Sequence, residues 1–160
     1  MNFNLKHIPH RDTRPRNSGL TMVMDKGISL REAQDLIDSS SDLIDVLKLG
    51  FGTSYLAPDL KEKVKLYRDS GMKVYVGGTL FEAFYVRGQF NDYVKMLKKF
   101  NIDTIEVSDG SMEIPHNIKC DLIEKLSKDF TVLSEVGSKE EGILISPTKW
   151  IRMMSNELAA

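Results

Sequence analysis

Cysteine is nearly absent from this sequence. Cys120 stands alone among 160 residues, which excludes an internal disulfide and any cysteine-based metal cluster. Long hydrophobic runs are missing too. No stretch approaches the roughly 18 apolar residues of a membrane span, and the opening MNFNLKHIPHRDTRPRNSG lacks the apolar centre of a secretory signal. Neither sign of charge dominates. Lys and Arg number 22 against 23 Asp and Glu, a net charge of −1, so electrostatics gives no reason to expect nucleic acid or an anionic membrane as partner. Histidine is scarce, and His7, His10 and His116 are too scattered for a metal triad, so surface positions are expected. These absences together lead to the expectation of a cytoplasmic protein.

What is present is ordinary for a globular chain. Hydrophobic residues make up 41% and charged residues 28%, close to the soluble average. At about 150 residues per domain the length fits one domain. Residues 1–18 are polar, with Arg11, Arg14, Pro15 and Arg16 close together. They read either as an anion-binding arm or as an irregular, solvated lead-in. The organised domain is expected over 19–160. Its β-rich runs lie at 20–24, 43–49, 73–76, 104–107 and 131–136. Helical patterns fall between and after them. The segment 29–40 has capping-box spacing from Ser29 to Glu32. The segment 58–70 opens with proline and ends before Gly71. The remaining patterns are 79–100, interrupted near Gly88, then 115–128 and 147–158. The apolar faces include Ile118, Leu122, Ile123 and Leu126 in one, and Trp150, Ile151, Met154 and Leu158 in the last.

Five strand–helix units in succession argue for a parallel sheet with right-handed crossovers. An eight-stranded α/β barrel takes about 250 residues, so the spacing fits the first five units of an incomplete (β/α)8 TIM-type barrel, or else an open doubly wound sheet. The helical ending NELAA, with no closing strand, is expected of a shortened barrel. In either fold, sites are built at the C-terminal ends of the strands. Parallel strands are buried on both faces, yet Lys48, Glu106 and Glu135 interrupt three of them near that edge. Asp25 and Lys26 follow the first strand, Asp109 the fourth, and Lys139 the fifth. These charges either pair with one another to stabilise the rim or form a site. Gly50–Ser54 and Gly77-Gly78-Thr79 lie at the same edge. The latter opens a helix, where backbone N–H groups favour an anion such as phosphate. A tight turn accounts for each glycine pair equally well. Apolar Val23, Val46 and Leu133 are expected on the inner face.

These strand-end residues resemble the phosphosulfolactate synthase family, which adds sulfite to phosphoenolpyruvate. The matching stretches are GLTMVMDKG at 19–27, IDVLKLGFGTS at 44–54, GMKVYVGGTLFEA at 71–83, GQF at 88–90, IEVSDGS at 105–111 and VLSEVGSK at 132–139. The resemblance implies a (β/α)8 barrel and a magnesium-dependent lyase that forms a carbon–sulfur bond, on the way to coenzyme M or sulfolactate. It implies Lys139 as the acid catalyst. The family also contains heat-stress-associated relatives, so a non-catalytic interaction module is the alternative.

The chemistry fits these residue types. Sulfite needs little activation, and its attack on the methylene carbon drives charge into the substrate carboxylate. Hard oxygen ligands could hold a magnesium ion against that charge, and the available carboxylates are Glu106, Asp109, Glu135 and Asp25. A lysine suits protonation of the resulting carbanion. Lys48, with Lys26 and the Gly77-Gly78-Thr79 turn, is the expected substrate-binding group, Lys48 holding carboxylate or sulfite as a point charge. A Schiff-base barrel using Lys48 or Lys139 as amine is a second enzyme reading. A five-strand arc leaves two unpaired edges, so a homo-oligomer is expected.

Overall fold

A computed structural model describes residues 5–160. Five parallel strands lie in the order β1-β2-β3-β4-β5: Met22–Asp25, Val46–Leu49, Lys73–Val76, Thr104–Val107 and Thr131–Ser134. Sequential order is the arc of a barrel; a doubly wound sheet would reverse direction about a switch point. Helices return the chain each time. α1 (Leu30–Ser40) starts on the expected reciprocal Ser29–Glu32 cap. α2 is Leu60–Asp69. The broken helical pattern resolves into α3 (Gly78–Tyr85) and α4 (Phe90–Lys99), and α5 (His116–Ser127) and α6 (Pro147–Ala159) follow. No helix among the described residues is long and apolar enough to cross a membrane.

Side chains alternate across each strand. Leu47, Leu49, Val74, Val76, Ile105 and Val107 face the helices and form the core with Val64, Tyr67, Phe81, Tyr93 and Leu97. Val23 packs on this same outer core, which corrects its expected inward placement: its partner in register is Leu47, an outward residue. The opposite face carries Met22, Met24, Val46, Lys48, Tyr75, Glu106 and Leu133. Met22 is 48% and Leu133 38% exposed.

The lead-in is irregular but not loose; its first four residues lie outside the described part. Arg11 donates to the Leu43 carbonyl, Arg14 to those of Ser41 and Ser70, and Arg16 to that of Asp42. Arg16 also binds Asp45 at 2.8 Å, a pair with side-chain exposures of 5% and 7%. The segment is largely exposed, with Arg14 and Arg16 half-buried, and the arginines clamp it across the strand N-termini. Burial opposes ionisation of Asp45, but the Thr21 N–H and the Arg16 guanidinium overcome it and hold the carboxyl below its ordinary value of 3.8. A carboxylate lowered on folding stabilises fully above its unfolded value, and that stability is lost as pH falls through the lower folded value. The stability gap between this chain and Asp45→Asn should thus be constant above about pH 4 and shrink in more acid solution. Urea unfolding across that range checks it; a gap that widens in acid contradicts the clamp.

α6 forms where the pattern places it. Its apolar stripe faces outward, with Trp150 43%, Ile151 65%, Met154 47% and Leu158 84% exposed, and its buried residue is Glu157. Open edges at β1 and β5, the bare inner face and this stripe are surfaces that template association. The isolated chain should sediment as an oligomer at micromolar concentration; a sharp monomer boundary contradicts this.

Candidate active site

Lys48 lies on β2 and Glu106 on β4, with β3 between them. Neighbouring strands are about 4.8 Å apart, so the pair spans two strand intervals. The Lys48 Nζ sits 2.8 Å from Glu106 Oε1 and 2.7 Å from Oε2. The crossing is possible because Gly77 follows β3 directly: a Cβ there would lie 2.7 Å from Lys48 Cε. Gly78 is equally constrained, since its Cβ would lie 2.5 Å from Ser108 Cβ and 2.9 Å from Glu106 Oε1. The Gly78 N–H, at the start of α3, donates to Glu106 Oε1 at 2.6 Å. The glycine pair thus serves close approach, and its helix N-terminus receives the protein's own carboxylate. Thr79 follows in the first turn of α3, half-buried.

Tyr75 is paired in register with Lys48, whose Nζ lies 5.8 Å from the ring centroid. Burial, then the Glu106 and Glu135 carboxylates, push its phenol far above the ordinary value. It stays protonated at neutral pH and is a hydrogen-bond donor there. Glu135, half-buried just past β5, shares the inward parity of Thr131 and Leu133. Its backbone N–H pairs with the Val107 carbonyl.

Lys139 is exposed at the same edge. Its N–H donates to the Gly110 carbonyl at 2.8 Å, and its side chain lies along Gly110, where a Cβ would come within 3.2 Å of Cε. It lines a cleft of about 990 Å³ with Ser111, Ser138, Lys149 and Arg152, between the loops after β4 and β5 and α6. Lys26 is exposed on the loop after β1, 5.6 Å from the Phe51 ring centroid.

Two expected carboxylates are elsewhere engaged. Asp25 has the outward parity of Leu49, its register partner. It accepts from the N–H groups of Gly27 at 2.7 Å and Ile28 at 3.0 Å and from Tyr67 Oη at 3.1 Å, and pairs with Lys63 at 3.3 Å. It ties β1 to α2 and does not point into the cleft. Asp109 pairs at 2.9 Å with Lys119, a fully buried lysine on α5. Lys119 also donates to the Glu135 carbonyl at 2.6 Å and lies 2.9 Å from Glu157 of α6. Glu157 is 3.5 Å from His116 Nδ1, without hydrogen-bond alignment to either neighbour. His116 is therefore half-buried against a carboxylate instead of lying on the open surface. Glu82 of α3 accepts from Ser108 Oγ and from the N–H groups of Gly110 at 3.1 Å and Ser111 at 3.2 Å, which fixes the loop beneath Lys139.

Tyr75, Glu82 and Lys119 escaped the reading of strand-end charges. Tyr75 had a signal in the alternation of KVYV. Lys119 had one as well: it shares a helix face with Ile123 and Leu126, at spacings of four and seven.

The expected magnesium ligands do not form a cage. Asp25, Asp109 and Glu106 each hold a lysine ammonium, and no three His, Cys, Asp or Glu side chains converge as a metal site among the described residues.

Comparison with known proteins bears on this edge. A family model described as (2R)-phospho-3-sulfolactate synthase matches residues 9–160. A phosphosulfolactate synthase of Methanothermobacter thermautotrophicus is 40% identical over 157 residues, 95% of this chain and 61% of that protein. One of Bacillus subtilis is 33% identical over 155 residues, 96% of this chain and 62% of that protein. The Arabidopsis thaliana protein HEAT-STRESS-ASSOCIATED 32 is 27% identical over 113 residues, 66% of this chain and 39% of that protein. The chain thus spans about three-fifths of the length of the two synthases.

Proposed function

Because this chain belongs to the phosphosulfolactate synthase family, we propose that its strand-end site takes part in adding sulfite to phosphoenolpyruvate. The observation that carries this reading is the Lys48–Glu106 pair, with side-chain exposures of 14% and 8%. Removing two charges from water is costly, and this pair sits at the edge where barrels build their sites. An ammonium has three donors. Glu106 takes two, which leaves one for a substrate oxygen.

Lys48 holds the phosphoenolpyruvate carboxylate. The sulfite sulfur lone pair forms a bond to the methylene carbon, and the alkene electron pair moves to C2 and into that carboxylate. Lys48 and the protonated Tyr75 offset the charge developing there. Lys139 gives its proton to C2, which completes phosphosulfolactate without loss of phosphate. Lys26 and the loops at the rim meet the anionic substrates. Magnesium belongs to the resemblance, but of the four carboxylates Glu106, Asp25 and Asp109 each hold a lysine ammonium, which leaves only Glu135 open to it. Phosphoenolpyruvate should shield Lys48 and Lys139 from acylation by acetic anhydride, read residue by residue by peptide mass. Equal labelling of both with and without it counts against the reading.

A further inference from the structure

The carboxylates at the strand ends invite a divalent cation, and the groups already bound to them bear on whether one fits. Glu106 offers about four lone-pair positions. Lys48 occupies both oxygens and the Gly78 N–H adds a third donor. A magnesium ion would sit about 2.0–2.1 Å from one of those oxygens, directly against the ammonium. Asp25 is turned to the helix layer and held by Lys63, and Asp109 is held by Lys119. Glu82 is filled by Ser108 and two backbone N–H groups. On the inner face only Glu135 carries no ion pair among the described residues, and one carboxylate is no cage for a hard cation.

We infer that the Lys48 ammonium takes the place of a resident divalent cation on the inner sheet face, with Glu106 as the residue that positions it. Glu106 therefore acts through Lys48 and is not a metal ligand. The inference stands on the geometry and does not depend on which reaction the site performs. It has a positive consequence. Without the ammonium, Glu106 is freed as an oxygen ligand on the face that also carries Glu135, both carboxylates lying near enough to act on the Tyr75 phenol.

Mn²⁺ is the probe, read on the full chain by the electron paramagnetic resonance of the free ion, with no substrate present. The chain should leave the free-ion signal unchanged. Lys48→Met, which keeps most of the side chain's length without its charge, should tighten Mn²⁺ binding by about tenfold or more, because a like charge has gone. Adding Glu106→Gln to that variant should abolish the gain. Lys48→Gln provides the same test if the methionine variant does not fold, with circular dichroism as the check. Stoichiometric Mn²⁺ binding by the unaltered chain that is lost in Glu106→Gln overturns the inference. So does a folded Lys48 variant that binds Mn²⁺ no better than the parent.

Discussion

Lys139→Ala should lower the rate of sulfite addition by about 10²–10⁴-fold, the usual loss when one positioned proton donor is removed. The expectation rests on chemistry and place together. Carbon–sulfur bond formation leaves a carbanion at C2, and a proton must reach it. Lys139 lies at the strand C-terminal edge, along Gly110, with its amine in no ion pair among the described residues. Its backbone is fixed to the Gly110 carbonyl, so the alanine variant should keep the fold. The enzyme assayed is this chain joined to the part of the Methanothermobacter relative outside the match, since the chain covers 61% of that protein. Turnover within a factor of two or so of the parent removes Lys139 from the mechanism.

Lys119→Met should destabilise the fold by about 3–5 kcal/mol, the range for a buried ion pair that loses one partner. Lys119 and Glu157 are both fully buried by side chain, and Asp109 is only 13% exposed. The methionine would leave two carboxylates near each other with no cation. It would also release the Glu135 carbonyl, and with it the segment leading to Lys139. A whole domain is stable by about 5–15 kcal/mol, so the loss is a large share of the total. Urea unfolding followed by circular dichroism measures it. A change below about 1 kcal/mol would place this cluster among weak surface pairs.

The barrel arc was legible from the sequence because its signals are local. The β-rich runs, the Ser29 cap and the break near Gly88 each depend on a few residues, and the structure shows all three. The site was legible only in part. Lys48 and Glu106 stand out as charges inside apolar strands, and the structure joins them. Asp25 lies at a strand end as well, but one step of alternation sends it to the helices. Parity decides between inner and outer placement, and a strand's end is where parity is hardest to read without its neighbour's register. Lys119 was hidden because its partners come from three separate elements, and sequence spacing holds no record of such meetings. The outward direction of the α6 stripe was not legible for a similar reason: periodicity shows that a helix has an apolar face, but not which surface receives it.

The lysines also bear on the competing chemistry. An imine mechanism needs the amine free to attack a carbonyl, and both Glu106 oxygens hold the Lys48 Nζ, at 2.8 and 2.7 Å. Borohydride with a keto acid should therefore leave Lys48 untrapped.

The most direct measurement is proton NMR of phosphoenolpyruvate mixed with sulfite and this chain joined to the remaining part of the Methanothermobacter relative, in D₂O. The vinyl signals should disappear only when both sulfite and enzyme are present, giving a product with one deuterium at C2, sulfur on C3 and the phosphate retained. Vinyl signals that persist with sulfite, or that vanish without it as phosphate is released, would contradict sulfite addition at this site.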